Sequence, residues 1–293
     1  MFEPVFGRVL TAMVTPFTED GQVAYDEARR LAAYLVDVQR NDSLIINGTT
    51  GEAPTTTDEE KRRLVETVVA EIGDRAKVVA GVGTFDTRHT LDLVRDAEDA
   101  GAHGLLVVTP YYSKPPQDAL AEHFLEIADA TRLPMMIYDI PQRTGIPVET
   151  PTLIKVAAHE RIVAVKDAKG LPVESAKVMA ATNLAYYAGD DAMTLPLLAV
   201  GGSGVVGTST HFTGARTKDM IDAFLAGELA RAVELYQALL PVYCGVFATQ
   251  GCLLVKAGLA ARGFAPGGVR RPLRPASAAQ AATFVAVLDA AGL

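Results

Sequence analysis

A (β/α)8 barrel, the α/β fold of TIM-barrel type, is what this sequence of 293 residues predicts. Three observations predict it. Short apolar, β-branched runs alternate with longer amphipathic stretches, the pattern of parallel strands buried on both faces and joined by helices. The alternation occurs eight times, the number that closes into a barrel. No glycine-rich phosphate loop opens the first helix, where Thr15-Pro16-Phe17-Thr18 stands instead, which disfavours a doubly wound open sheet.

Taken in order, the strands are predicted over residues 9–14, 43–47, 77–81, 104–108, 134–138, 162–166, 184–188 and 204–206. The helices between them are predicted over 26–39, 58–72, 90–100, 118–131, 151–158, 172–181, 192–200 and 213–225. Thr57-Asp58-Glu59-Glu60 has the form of a capping box at the second helix. Pro116 and Pro151 stand near helix starts, where a missing N–H costs little. After about Gly227 the alternation stops, and helices are predicted over 228–240, 242–262 and 277–290, with a Gly-, Pro- and Arg-rich linker at 263–275. The expected division is a barrel over residues 1–227 carrying the active site and a small C-terminal helical extension over 228–293.

Composition excludes several classes. With 49% hydrophobic and 21% charged residues the chain is ordinary globular material. A net charge of −8 without a basic block speaks against a nucleic-acid partner. No apolar run is long enough to span a bilayer, and residues 1–8 have no apolar signal core. Cys244 and Cys252 are the only cysteines and make no disulfide framework. A cytoplasmic location is expected.

Barrel enzymes place their chemistry at the C-terminal ends of the strands. The apolar run at 162–165 feeds directly into Lys166. Burial there would disfavour the ammonium form and leave an amine able to form Schiff bases. The other reading is a strand-end lysine whose charge reaches solvent, and the remaining strand ends decide. They supply Gly48-Thr49-Thr50-Gly51-Glu52, Tyr111-Tyr112, Tyr138 with Arg143, Gly189-Asp190-Asp191 and Val206-Gly207-Thr208. Each has a bland reading as a turn, a mouth-covering ring or a solvated loop residue. Together they offer an amine nucleophile, tyrosines able to move protons, hydroxyls for a small carboxylate and a guanidinium for another. The five histidines show no metal-ligand spacing and read as structural or surface residues. No Cys/His or carboxylate cluster suggests zinc, and no Gly-x-Ser-x-Gly elbow supports a serine triad. Neither a metal nor a cofactor is expected.

These motifs, with Thr109-Pro110 before the two tyrosines, Val165-Lys166-Asp167 and Gly201-Gly202-Ser203-Gly204-Val205-Val206, resemble the dihydrodipicolinate synthase family of pyruvate-dependent class I aldolases. They stand in the family's order over most of the chain. The wording of residues 101–116 and 133–141 looks like the actinobacterial branch. The resemblance implies condensation of pyruvate with L-aspartate-4-semialdehyde to 4-hydroxy-tetrahydrodipicolinate. It implies that Lys166 forms the imine, that Tyr138 exchanges protons near it, and that Thr49 links Tyr138 to a Tyr112 supplied by the neighbouring subunit. Thr50 would hold the pyruvate carboxylate and Arg143 that of the semialdehyde, while Val206, through its backbone, and Gly189 would line the substrate site. A homo-oligomer is implied, a tetramer built from tight dimers.

Two departures stand out. Gly207 replaces a serine common after the eighth-strand glycines. Thr249-Gln250-Gly251 replaces an Asn-Pro-x-Pro before Lys256, in a region expected to lie remote from the barrel mouth. The rival reading is another pyruvate-lysine aldolase, an N-acetylneuraminate lyase or a 2-keto-3-deoxy-sugar acid aldolase. Thr49-Thr50 and Arg143 favour the synthase. A barrel that binds a keto acid without turnover would not need both Lys166 and Tyr138. Positions matching the pocket of lysine-inhibited members read Ala53-Pro54, Asp58, Lys61, Phe85 and His89, which suits lysine poorly and implies weak or absent inhibition by it.

Overall fold

The computed structural model describes residues 4–293. Eight parallel strands close into a barrel in sequence order: β1 (Val9–Ala12), β2 (Ser43–Ile46), β3 (Lys77–Gly81), β4 (Gly104–Val108), β5 (Met135–Asp139), β6 (Ile162–Asp167), β7 (Ala185–Ala188) and β8 (Gly204–Gly207). Closure is made by β1, in which Leu10 lies opposite Ser43 on one side and Val206 on the other. Successive side chains alternate between two cores. Leu10, Ile45, Val79, Leu106, Met136, Tyr138, Ala164, Tyr187 and Val206 fill the barrel. Their neighbours Val9, Leu44, Val78, Leu105, Ile137, Val165, Tyr186 and Val205 pack outward against helices. Burial on both faces explains why the strands read as unbroken apolar runs, since each buried Val, Leu or Ile contributes about 1.5–3 kcal/mol.

The helices are α1 (Tyr25–Asp37), α2 (Asp58–Ile72), α3 (Thr87–Asp99), α4 (Gln117–Asp129), α5 (Pro141–Thr144), α6 (Thr150–Val156), α7 (Pro172–Ala181), α8 (Thr194–Leu198), α9 (Thr210–Leu225), α10 (Leu229–Gly245), α11 (Gly251–Ala261) and α12 (Ala278–Ala290). The capping box forms: Glu60 N donates to the Thr57 hydroxyl at 3.2 Å and Thr57 N to the Glu60 carboxylate at 2.9 Å. Helix α3 starts before the expected residue 90 because Asp86 caps it, accepting from Arg88 N at 3.0 Å. The short α5 was not expected; Pro141 at its start and Gly145 in the left-handed region at its end delimit it.

The last part of the chain differs from expectation at one joint. A break was expected at Pro241, but α10 runs through that proline to Gly245. Leu239, Val242 and Tyr243 of α10 are buried, and the Tyr243 hydroxyl lies 2.9 Å from that of Thr217. This packing outweighs the one hydrogen bond that proline removes. Helices α10 to α12 share the outer core, where Phe284 meets Phe212 edge to face at 5.9 Å. Among the described residues no helix is long and apolar enough to cross a membrane, and no group of three or more His, Cys, Asp or Glu could hold a metal ion. Both cysteines are free.

Candidate active site

Lys166 lies in register with Tyr138 on the neighbouring strand. Both side chains point into the barrel, two residues beyond the inward Ala164 and Met136. The Lys166 amine sits 4.2 Å from the centre of the Tyr138 ring, and the residue is only 4% exposed. Burial draws its ammonium from the ordinary 10.5 down to about 7, the Asp191 carboxylate opposing this and the Arg143 guanidinium adding to it. Burial pushes the Tyr138 phenol up to about 12, against the pull of Arg143 and a hydrogen bond from Thr49. A lysine that would be almost wholly cationic in water is here about half neutral at pH 7.

The turn after β2 brings Thr49 and Thr50 to the same end of the barrel. Asn47 and Glu52 flank it, both with left-handed φ, +61° and +58°. Thr50 Oγ1 lies 3.4 Å from the hydroxyl of Thr208, which follows β8, and the Gly51 carbonyl accepts from Thr15 at 2.7 Å. Behind Thr208, the carboxylate of Asp191 accepts from Thr208 N at 3.0 Å, Ser209 N at 3.0 Å and the Ser209 hydroxyl at 2.6 Å. Gly207 leaves room for this arrangement: a Cβ there would lie 2.6 Å from Asp191 Oδ1 and 2.6 Å from Thr210. Asp191 was legible only as part of a Gly-Asp-Asp strand end. Its work, bracing the loop after β8 and opposing the loss of the Lys166 proton, required the fold.

A cavity of about 560 Å³ opens at this end, lined in part by Thr49, Tyr138, Arg143, Tyr111, Lys61 and His89. Lys166, Thr50, Val206 and Gly189 lie outside its lining. Lys166 touches Tyr138, which lines it, while Val206 is buried inside the barrel. Gly189 closes the β6–β7 corner, its N–H donating to Asp167 O at 2.8 Å. Arg143 is exposed and donates to the Gln250 side chain at 3.2 Å. Tyr112 is not brought to the cavity. It is 93% exposed with φ at +71°, while Tyr111 meets Phe85 edge to face at 5.5 Å. A second cavity, of about 480 Å³, opens at the opposite barrel end beside the starts of β6 and β7, where strand-end chemistry is not found.

His89, read as structural or surface, stands part-exposed on the wall of the active-end cavity, 2.9 Å from Asp58 Oδ2. One expectation is overturned. The segment around Lys256, expected to be remote, touches the barrel mouth. Lys256 pairs with Glu52 at 2.7 Å, Gln250 meets Arg143, and a Cβ on Gly251 would lie 3.2 Å from Thr208. No local signal marks these contacts, because the partners are far apart in sequence. On the outer face of the same strand ends, Asp139 pairs with Lys169 at 2.9 Å and accepts from Val148 N at 3.1 Å. Asp167 accepts from Lys169 N at 2.9 Å and from the Ser175 hydroxyl. These buried bonds fix the backbone that carries Tyr138 and Lys166.

The sequence profile described as the dihydrodipicolinate synthetase family matches residues 5–291. The chain is 60% identical over 289 residues to the 4-hydroxy-tetrahydrodipicolinate synthase of Cutibacterium acnes, covering 99% of each chain. It is 60% identical over 287 residues to that of Acidothermus cellulolyticus, covering 98% of this chain and 93% of the relative. Among solved structures it is similar to the synthase of Cyanidioschyzon merolae with lysine bound, at a TM-score of 0.97 and 38% identity over 99% of each chain.

Proposed function

The chain belongs to the dihydrodipicolinate synthetase family, and from that premise we propose how its residues carry the reaction. The protein is a pyruvate-dependent lyase of the aldolase type, a 4-hydroxy-tetrahydrodipicolinate synthase in the diaminopimelate route to lysine. It condenses pyruvate with L-aspartate-4-semialdehyde.

The observation that carries the residue assignments is the buried Lys166 amine against the Tyr138 ring, where burial draws its ammonium down to about 7. The neutral amine adds to C2 of pyruvate, and loss of water gives the imine. Loss of a C3 proton gives the enamine, whose carbon attacks the aldehyde of the second substrate. The substrate's amino group then attacks C2, closes the ring and expels Lys166 as the free amine. Tyr138, neutral at pH 7, serves as proton donor and acceptor in these steps, with Thr49 beside it. Thr50, its neighbouring N–H groups, Val206 and Gly189 hold the pyruvate end. Arg143 holds the semialdehyde carboxylate.

The assembly belongs to the same proposal. Tyr112 stands in solvent on a loop with Pro110, Pro115 and Pro116, beside Tyr111 and the 60% exposed Phe85. Exposed aromatic rings on a stiff loop suit an interface, and from there Tyr112 would reach a partner's site. Leu171 and Val173 form a second exposed apolar pair, which supports two kinds of contact and hence a tetramer of tight dimers. Residues 228–293 act as an appendage sharing the barrel's outer core, not as an autonomous unit. The cytoplasm is the proposed compartment, in keeping with two free cysteines.

The test is a coupled assay with pyruvate and L-aspartate-4-semialdehyde, run beside sialic acid cleavage and cyanoborohydride trapping of pyruvate. Turnover of the first pair and a pyruvate adduct on Lys166 are expected. Turnover near wild type in Lys166→Arg would overturn the assignment, because guanidinium is no usable nucleophile at neutral pH.

A further inference from the structure

We propose that the buried Glu52–Lys256 ion pair is a positioning device, through which the C-terminal extension sets where the Thr49-Thr50 turn sits and therefore how tightly pyruvate is held. The proposal rests on the pyruvate-binding role given above to that turn.

The turn is anchored where its backbone is strained. Asn47 and Glu52 both adopt left-handed φ, +61° and +58°; asparagine tolerates that region, whereas a glutamate occupies it only when the surroundings hold it there. Each end is tied to a different element. Asn47 Nδ2 donates to the Lys61 carbonyl of α2 at 3.1 Å. Glu52 is tied to the extension with both oxygens. Oε1 accepts from Lys256 Nζ of α11 at 2.7 Å, and Oε2 accepts from Arg270 N at 2.9 Å.

Lys256 is itself fixed in place. Its amine also donates to the Gly268 carbonyl at 2.6 Å and lies 4.3 Å from the centre of the Phe17 ring. The two side chains are 4% and 1% exposed. A buried ion pair repays little net stability, because both charges must leave water. What it supplies is direction: the carboxylate has one partner on each oxygen, and neither bond can be kept if the turn moves. The same segment of the extension touches the site twice more, through Gln250 on Arg143 and Gly251 on Thr208.

The experiment uses Glu52→Gln, Lys256→Met and the double variant in the full chain. It reads the pyruvate concentration giving half-maximal cyanoborohydride trapping on Lys166, the final adduct yield, the KM for each substrate and the melting temperature. The expected result is a rise of about 10- to 100-fold in the pyruvate half-saturation, with full adduct at saturating pyruvate and a smaller change in the semialdehyde KM. The double variant leaves no unpaired buried charge, so its melting temperature should recover toward that of the parent while pyruvate binding stays weak. It carries the test if a single variant does not fold. A pyruvate half-saturation within about twofold of the parent, in variants that melt earlier, would make the pair structural only and overturn the proposal. Absence of an adduct in the parent protein would instead overturn the functional reading on which the proposal stands.

Discussion

Raising the pH through neutrality should switch on imine formation at Lys166. An ordinary lysine leaves about 1 amine in 3,000 neutral at pH 7. With the ammonium drawn to about 7 by burial, about half is neutral, a gain of about 10³ in reactive amine. The assay is the initial rate of cyanoborohydride trapping with saturating pyruvate, followed by mass. Below the midpoint the rate should fall about tenfold per pH unit, and above it the rate should level off. Two substitutions should move the midpoint in opposite directions. Asp191→Asn removes the carboxylate that supports the ammonium and shifts the midpoint toward acid. Arg143→Met removes a cation that opposes it and shifts the midpoint toward alkali. A midpoint near 10, or both variants shifting the same way, would refute the reasoning. Stability should carry the same signature. Above about 7 the folded protein has lost the Lys166 proton, while the unfolded chain keeps it to about 10.4. The unfolded state therefore binds more protons in that window, and Lys166 makes stability rise with pH across it.

The remaining predictions concern substrate, assembly, regulation and packing. Arg143→Ala should raise the KM for the semialdehyde by about 10- to 150-fold, the worth of a charged hydrogen bond, with far less effect on pyruvate; equal effects in steady-state kinetics would count against its role. Sedimentation should find a homo-oligomer, and Tyr112→Phe should lower kcat without dissociating it; a fully active monomer would contradict the shared site. Millimolar L-lysine should leave the rate largely unchanged, because Asp58 is already engaged by His89 at 2.9 Å and Lys61 at 3.4 Å; strong inhibition at low millimolar lysine would show otherwise. Gly207→Ala should lower stability by about 1–3 kcal/mol, measured by denaturant unfolding, since its Cβ would meet Asp191 at 2.6 Å; a variant as stable as the parent would mean that the loop relaxes freely.

The barrel was legible because its strands are buried on both faces, so Leu44-Ile45-Ile46 or Val163-Ala164-Val165 cannot read as anything amphipathic. The positions of Lys166 and Tyr138 at the C-terminal ends of such runs were legible, but their inward direction came from the alternation that sends Asp139 and Asp167, one residue on, to the outer face. Helix ends were less so. Asp86 caps α3 from a position that the apolar spacing did not reach, and Pro241 reads as a break although buried neighbours carry the helix through it. What the sequence withheld was any contact whose partners share no local pattern. Glu52 with Lys256, Asp191 with the amides of Thr208 and Ser209, and Arg143 with Gln250 are all of this kind. Lys256 in particular sits in an apolar helix, where nothing nearby announces a carboxylate.

The span between Glu52 and Lys256, 204 residues, also has a consequence for the order in which the molecule is made. Synthesis runs from the N-terminus, so Glu52 leaves the ribosome long before the lysine that neutralises it. Every strand of the barrel, through β8, is translated before α11. A nascent chain halted at the end of α9 would contain Lys166, Tyr138 and both threonines, yet hold at its mouth a carboxylate with neither of its partners. If the pair holds the turn as proposed, catalytic competence is coupled to completion of the polypeptide: the residues proposed to do chemistry come early, and the lysine proposed to steady them comes near the end.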